Sequence, residues 1–281
     1  MLIRYGWEMT FLCPAPTPMV CQLDIHPSLA VAVRTEMPFT SDPPVRSSLY
    51  ADLFGNRSRR FVAPAGRLRI AAGGVIENDG RPDEVAPYAQ EVPVADLPDD
   101  CMMYLVGSRY CETDRLSQIA WDRFGGVAPG WNRVQAICDF VHGHITFGYH
   151  FARSTRTAFE AYHERVGVCR DYAHLAITLC RCMNIPARYV NGHLGDIGVP
   201  PSPEPMDFSA WFEVWLSGRW YTFDARSNRP RIGRLLIARG RDAADVPLVN
   251  SFGPHVLESF RVWSDEVDAT GAIVPWDAAR S

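Results

Sequence analysis

An amphipathic helical run that ends on Asn-Ile-Pro and passes without a linker into a β-branched, aromatic strand constrains this chain most: "CRDYAHLAITLCRCMNIPARYVNGHL", residues 169 to 194. Cys169, Tyr172, Ala173, Ala176, Leu179, Cys180 and Met183 recur at three- and four-residue steps and share one helical face. Asn184 suits the left-handed cap that ends a helix, and Pro186 cannot continue one. With so short a connection, the strand at 187–194 must pack back on the helix. Two more strand-like runs follow, "AWFEVWL" (210–216) and "RWYTFDA" (219–225), joined across "SGR" as a hairpin containing Gly218. A helix laid on an antiparallel meander predicts an α+β layer architecture.

The first hundred residues have a different character. Short apolar or alternating runs such as "QLDIHPSLAVAVRT" and "RRFVAPAGRLRIAAGGVI" are broken about every ten residues by Pro, Gly, Asn and Asp, which predicts an antiparallel β-sandwich. "YADLFGNRSRRF" predicts a hairpin turning at Gly55–Asn56, with Asp52 and Asn56 shaping the turn. The polar, proline-punctuated "DLPDD" at 96–100 marks a boundary. The expected organisation is a sandwich domain over 1–98 and a core domain with C-terminal strands over 99–281. Within the core, Val134, Ile137, Cys138, Val141 and Ile145 predict another amphipathic helix, and the loop "GDIGVPPSPEPMDFS" has the length and proline content of a substrate loop. The basic run "RSNRPRIGRLLIARGRD" reads as a strand with a solvated face.

Composition excludes several classes of function. The 28 basic residues are outnumbered by 32 acidic ones and scattered, so no nucleic-acid partner is expected. No stretch of eighteen apolar residues suggests a membrane partner, and the N-terminal twenty residues carry Glu8 in their only apolar stretch; a cytoplasmic protein is expected. In that compartment the eight cysteines read as reduced thiols. There is no CxxC, "CRC" at 180–182 has the wrong spacing, and His142 and His144 diverge on a helix, so neither a metal nor another cofactor is expected.

Cys169 is the thiol best placed for chemistry. It follows Gly167 and Val168 in the first turn of its helix, where unpaired N–H groups and partial positive charge favour a thiolate over the free thiol, whose pKa is about 8.5. Arg170 adds a neighbouring cation. The same N–H groups can receive the oxyanion of an attacked carbonyl. A packed, unreactive thiol is the bland alternative. Asp171 fits a helix-capping role better than a chemical one.

"RVGVCRDYAHLAITLCRCMNIPARYVNGHL" followed by "DFSAWFEVWLSGRWYTFDAR" closely resembles the core of the transglutaminase-like superfamily, in its bacterial branch with an N-terminal β-sandwich. "YADLFGN" and "GSRYCETDRL" resemble that branch's preceding sandwich and connecting segment. The resemblance implies a papain-like Cys-His-Asp arrangement acting on amides through a thioester, with Cys169 as nucleophile and Asp224 as the orienting carboxylate. It implies a peptide or amide-containing small molecule as substrate.

The family's histidine, in "DFHAW", is replaced here by Ser209 in "DFSAW". A hydroxyl does not hold a proton near neutral pH as imidazole does. If strand 187–194 pairs antiparallel with 210–216, His193 comes close to the missing position, making it the candidate replacement base. His174 points away from Cys169, and His150 in "FGYHFARS" has no positional argument. The expected function is therefore a transglutaminase-like cysteine amidase or peptidase using Cys169, His193 and Asp224. The alternative is a degenerate member that binds peptides or a partner without chemistry.

Overall fold

The helix from Cys169 to Cys182 is buried on every side: each residue from Asp171 onward is inside the protein, polar ones included. A single apolar face would not require this, so the polar side chains must find partners within the core. Thr178 Oγ1 donates to the His174 carbonyl at 2.7 Å, His174 Nε2 accepts the Ala243 N–H at 3.1 Å, and Arg181 donates twice to the Ala187 carbonyl at 2.8 and 3.0 Å. That last contact ties the end of the helix to the strand that follows it.

The computed structural model describes residues 1–276. In chain order, β1 (Leu2–Cys13), β2 (Thr17–Cys21), β3 (Val33–Asp42), β4 (Ser47–Ala51), β5 (Arg57–Ala63) and β6 (Gly66–Glu77) come first. Next are α1 (Thr113–Phe124), α2 (Trp131–His144), β7 (Thr146–Phe147), α3 (Ala158–Glu164), β8 (Val166–Gly167) and the buried helix α4 (Cys169–Cys182). Then come β9 (Ala187–His193), β10 (Ser209–Leu216), β11 (Arg219–Phe223), β12 (Leu235–Gly240), β13 (Val249–Ser251) and β14 (Val256–Val267).

Helices α1, α2 and α3 surround α4, which rests on β9 and β10. The sheet beneath has the order β11-β10-β9-β12, with β10 antiparallel to both neighbours. Asn184 takes the left-handed conformation at φ 63°, as the helix stop requires, and Ser217 and Gly218, both at positive φ, turn the β10–β11 hairpin. The expected α+β core is what forms.

Two further sheets make the N-terminal layers, in the orders β14-β1-β6-β3 and β13-β2-β5-β4. Along β1 the buried side chains include Ile3, Tyr5, Trp7, Met9, Phe11 and Cys13, the period of two of a strand with one face inward. Phe39 of the first sheet bridges Trp7 and Phe61, joining the two layers. The turn at 52–56 forms as its residues predict: Asp52 Oδ1 accepts the N–H groups of Phe54 and Asn56 at 2.8 and 2.9 Å, and Gly55 has φ 79°. The buried Asn56 side chain then exchanges two hydrogen bonds with Arg239 of β12, clamping this hairpin to the core sheet.

Two sequence expectations are corrected. Residues 249–267 do not belong to the core: β13 pairs with β2, and β14 runs along β1 from Leu2↔Val267 to Leu12↔Val256, so the chain returns to cover an edge of the sandwich sheet. The strand in "PRIGRLLIARG" has no solvated face, because β12 pairs with β9 and lies beneath the 52–56 turn; Leu235, Leu236, Ile237 and Ala238 are all buried.

Candidate active site

The start of α4 is fixed by close backbone approach. A Cβ on Gly167 would lie 2.7 Å from Asp171 Cβ, so only glycine admits the tight entry. Asp171 is buried, accepts the Val168 N–H at 2.9 Å and pairs with Arg156 at 3.1 Å, which is the capping role its sequence position predicts. These contacts hold Cys169, half-buried, at the first helical position.

The thiol is not activated as its helix position predicts. Burial pushes it up to about 11; Arg226 and the Ala210 N–H pull it down, and Asp207 and Asp224 push it further up. Desolvation is the largest of these effects. Arg170 does not supply the expected cation, because its guanidinium turns to the Ser154 and Arg153 carbonyls and to Asp171.

Asp224 lies just beyond the end of β11, where the chain bends into a turn held against α2. His142 Nδ1 donates to the Arg226 carbonyl at 2.9 Å, and Asn228 bonds Gln135 and Asp139. Asp224 Oδ1 accepts the Arg226 and Ser227 N–H groups, both at 2.9 Å, and Oδ2 accepts from Arg234 at 2.9 Å. Burial alone would raise its pKa, but Arg234 and the Ser227 N–H hold it below the usual carboxylate range. Arg234 is itself buried, bridges to Asp83 at 2.8 Å and sits over the Trp211 ring.

Neither Cys169 nor Asp224 receives a hydrogen bond from an imidazole among the described residues. Ser209, which the resemblance sets at the family histidine's position, opens β10 opposite Gly192. His193 is one residue further along β9, on the face shared with Ala187 and Tyr189. It is completely buried between Tyr5 and Phe208, at ring distances of 5.7 and 5.0 Å, and neither ring nitrogen has a hydrogen-bond partner. Burial pushes its pKa down to about 3. The structure therefore does not join His193 to the thiol; strand alternation directs it into an apolar slot. His174 is locked in the core against Tyr110, and His150 is exposed on Phe151.

Sequence reasoning missed two groups that act on the sulfur. Asp207, two residues before Ser209, is half-buried with its pKa raised by burial against the Phe208 N–H and Arg226. Arg226, two residues after Asp224, lies 4.0 Å above the Phe147 ring, and Phe147 in turn packs on Tyr149 at 5.2 Å. Both could have been found by asking which charges flank the ends of β10 and β11, since these ends meet at Cys169. Among the described residues no three His, Cys, Asp or Glu side chains come together as a metal site.

Three comparisons bear on this arrangement. A family model for the transglutaminase-like superfamily core matches residues 120–225, the span from α1 to the turn after Asp224. A crystal structure from Cytophaga hutchinsonii, described as a candidate cysteine protease, is 27% identical and superposes with a TM-score of 0.81 over 99% of this chain and 94% of that one. An uncharacterized Mycobacterium leprae protein is 28% identical over 220 residues, 73% of this chain and 75% of its own, and one from Mycobacterium tuberculosis is 38% identical over 93 residues, 30% and 29% of the two chains.

Proposed function

Because this chain belongs to the transglutaminase-like superfamily, we propose that it is a catalytically silent member that holds amide-bearing peptide segments at Cys169 without turning them over. The observation that carries this reading is the missing imidazole at Ser209, which no other histidine replaces. With a pKa of about 11, the thiol is ionised to only about one part in ten thousand at pH 7, and among the described residues no imidazole bonds the sulfur to take its proton. Asp224, which would orient an imidazole, is engaged by Arg234 and two backbone N–H groups. The half-buried sulfur, the Ala210 N–H and the rim of Phe147, Tyr149 and Arg226 remain as groups that recognise an amide.

A second reading, a cysteine hydrolase working through a Cys169 thioester, is favoured by the Ala210 N–H, which pulls the thiol's pKa down, and by the likeness to the Cytophaga cysteine-protease candidate. Release of a chromogenic amine from a peptide panel separates the two. Wild type and Cys169→Ala are expected to share one background rate, and Ser209→His to exceed both by about a hundredfold or more, the usual contribution of a general base. Turnover by wild type above Cys169→Ala overturns the silent reading and establishes the second. Peptides that bind are expected to slow iodoacetamide labelling of Cys169; no protection by any member of the panel overturns the binding half.

A further inference from the structure

The proline-rich loop at 195–208 leaves the core sheet after His193 and returns to it at Ser209. Its two ends are adjacent, because β9 and β10 pair with Ser209 opposite Gly192. The closure between them is apolar: the His193 ring packs on Phe208 at 5.0 Å and on Tyr5 at 5.7 Å, and Phe208 packs in turn on Phe260 of β14 at 5.8 Å. Inside the loop, Asp196 accepts the Ser202 N–H at 2.7 Å and Ser202 Oγ accepts the Glu204 N–H at 3.2 Å, so these bonds can move with it. Asp207, beside Phe208, acts through its charge on the Cys169 sulfur.

Both nitrogens of His193 lack a partner although the ring is completely buried, whereas buried polar groups are ordinarily satisfied. In water the ring takes a proton near pH 6.5; in the slot a charged ring would have neither a partner nor solvent. Tyr5 is the titratable side chain that faces it, and burial with Glu36 and Asp24 keeps that phenol neutral, with a pKa of about 12. The charges on the elements around the slot are engaged elsewhere. Arg4 of β1 pairs with Asp265 of β14 at 2.9 Å, Arg234 before β12 pairs with Asp83 and Asp224, and Arg231 donates to the Gly195 carbonyl at 2.8 Å. Burial is the cause of the low pKa of His193.

We propose that His193 is an acid-sensitive latch on this loop: when Phe208 leaves the slot the ring takes a proton from water, and the charged ring keeps Phe208 from returning. Closure requires the neutral ring. Acid therefore favours the open loop and carries Asp207 away from Cys169, at a pH where the rest of the core stays folded. The latch is a property of the loop and its slot, and it does not depend on whether Cys169 binds peptides or turns them over.

Because the opened ring titrates near 6.5 and the closed one near 3, the open fraction should rise about thirtyfold between pH 8 and pH 5. Hydrogen exchange of the whole chain, with each amide normalised to its intrinsic rate at that pH, measures this on segment 191–210 and on helix α4. Wild type is expected to show the rise at 191–210 and not in α4. His193→Phe, which fills the slot with an apolar ring, should abolish the rise, and Phe208→Ala, which leaves the ring open to water, should hold segment 191–210 at the open exchange level at every pH. No rise in wild type, a rise of the same size in His193→Phe, or a rise in α4 equal to that at 191–210 overturns the latch; the last would mean that the ring is protonated only on global unfolding. The two variants alter different residues, so a folding defect in one leaves the other decisive.

Discussion

Two carboxylates act on Cys169, and they are built in opposite ways. Asp224, past the end of β11, is buried, takes three donors and is held in its charged form by Arg234. Asp207, in the lead-in to β10, is half-buried, has one close N–H donor from Phe208 and is destabilised as an anion by burial. The resemblance gives Asp224 the place of an orienting residue, yet its bonds are those of a structural anchor. A residue can therefore keep its place in a catalytic pattern because the fold needs it, independently of whether any chemistry remains.

The sharpest way to break this comparison is to remove the anchor's charge. Asp224→Asn leaves Arg234 buried beside a neutral amide with only Asp83 to balance it, and loss of one partner from a buried pair typically costs about 3–5 kcal/mol. Urea unfolding of Asp224→Asn should show a loss of that size, against about 1 kcal/mol or less for Asp207→Asn. Equal losses would mean that Asp224 does not anchor the turn and that its retention needs another cause.

Acid provides the next largest effect. His193 is neutral in the folded protein, with a pKa of about 3 against 6.5 for an unburied ring. Above pH 6.5 both states are neutral and the residue contributes nothing to the pH dependence. As the pH falls below 6.5 the unfolded chain binds a proton that the folded one refuses, so stability drops, by about 2 kcal/mol at pH 5, until the folded pKa is reached. His26, pushed down to about 4 by burial and by Arg239 and Arg188, adds to the same window. Replacing His193 with Phe should flatten the stability curve between pH 6.5 and 5. A curve unchanged from wild type would show that His193 is not a buried neutral ring, and would reopen its approach to Cys169.

What the sequence made legible follows the range of the forces involved. Helix α4, its stop at Asn184, the Ser217–Gly218 turn and the Asp52 turn depend on neighbours within a few residues, and local pattern predicts them. The pairing of β14 with β1 joins residues some 250 positions apart, and nothing in either strand's alternation names its partner. The site divides in the same way. The motif singles out Cys169 and Asp224 and marks Ser209 as a departure from it. The thiol's protonation could not be read, because the helix start that favours a thiolate is visible in sequence while the burial that opposes it exists only after the fold closes. His193 shows the same limit: its proximity in register was legible, but the pleat decides which face it takes.

The smallest effect concerns the second carboxylate. Asp207 ranks behind Arg226 among the charges acting on the sulfur, and it opposes ionisation whereas Arg226 promotes it. Below the thiol's pKa the alkylation rate follows the thiolate fraction, so it should climb about tenfold per pH unit across the neutral range and bend only near pH 11. Asp207→Asn removes the opposing charge at nearly constant shape and should speed iodoacetamide labelling of Cys169 by about two- to fivefold at low ionic strength, less in high salt, because the site is only half-buried. Arg226→Gln should slow labelling, and by the larger factor. If both variants shift the rate in the same direction, loosening of the loop rather than charge governs reactivity, and the contrast between an anchoring and a field-setting carboxylate fails at Asp207. If the two shifts are opposite and both shrink as salt rises, then the field at Cys169 is set by residues that flank the family motif, and redesigning Ser209 to histidine would have to be accompanied by Asp207→Asn to reach full reactivity.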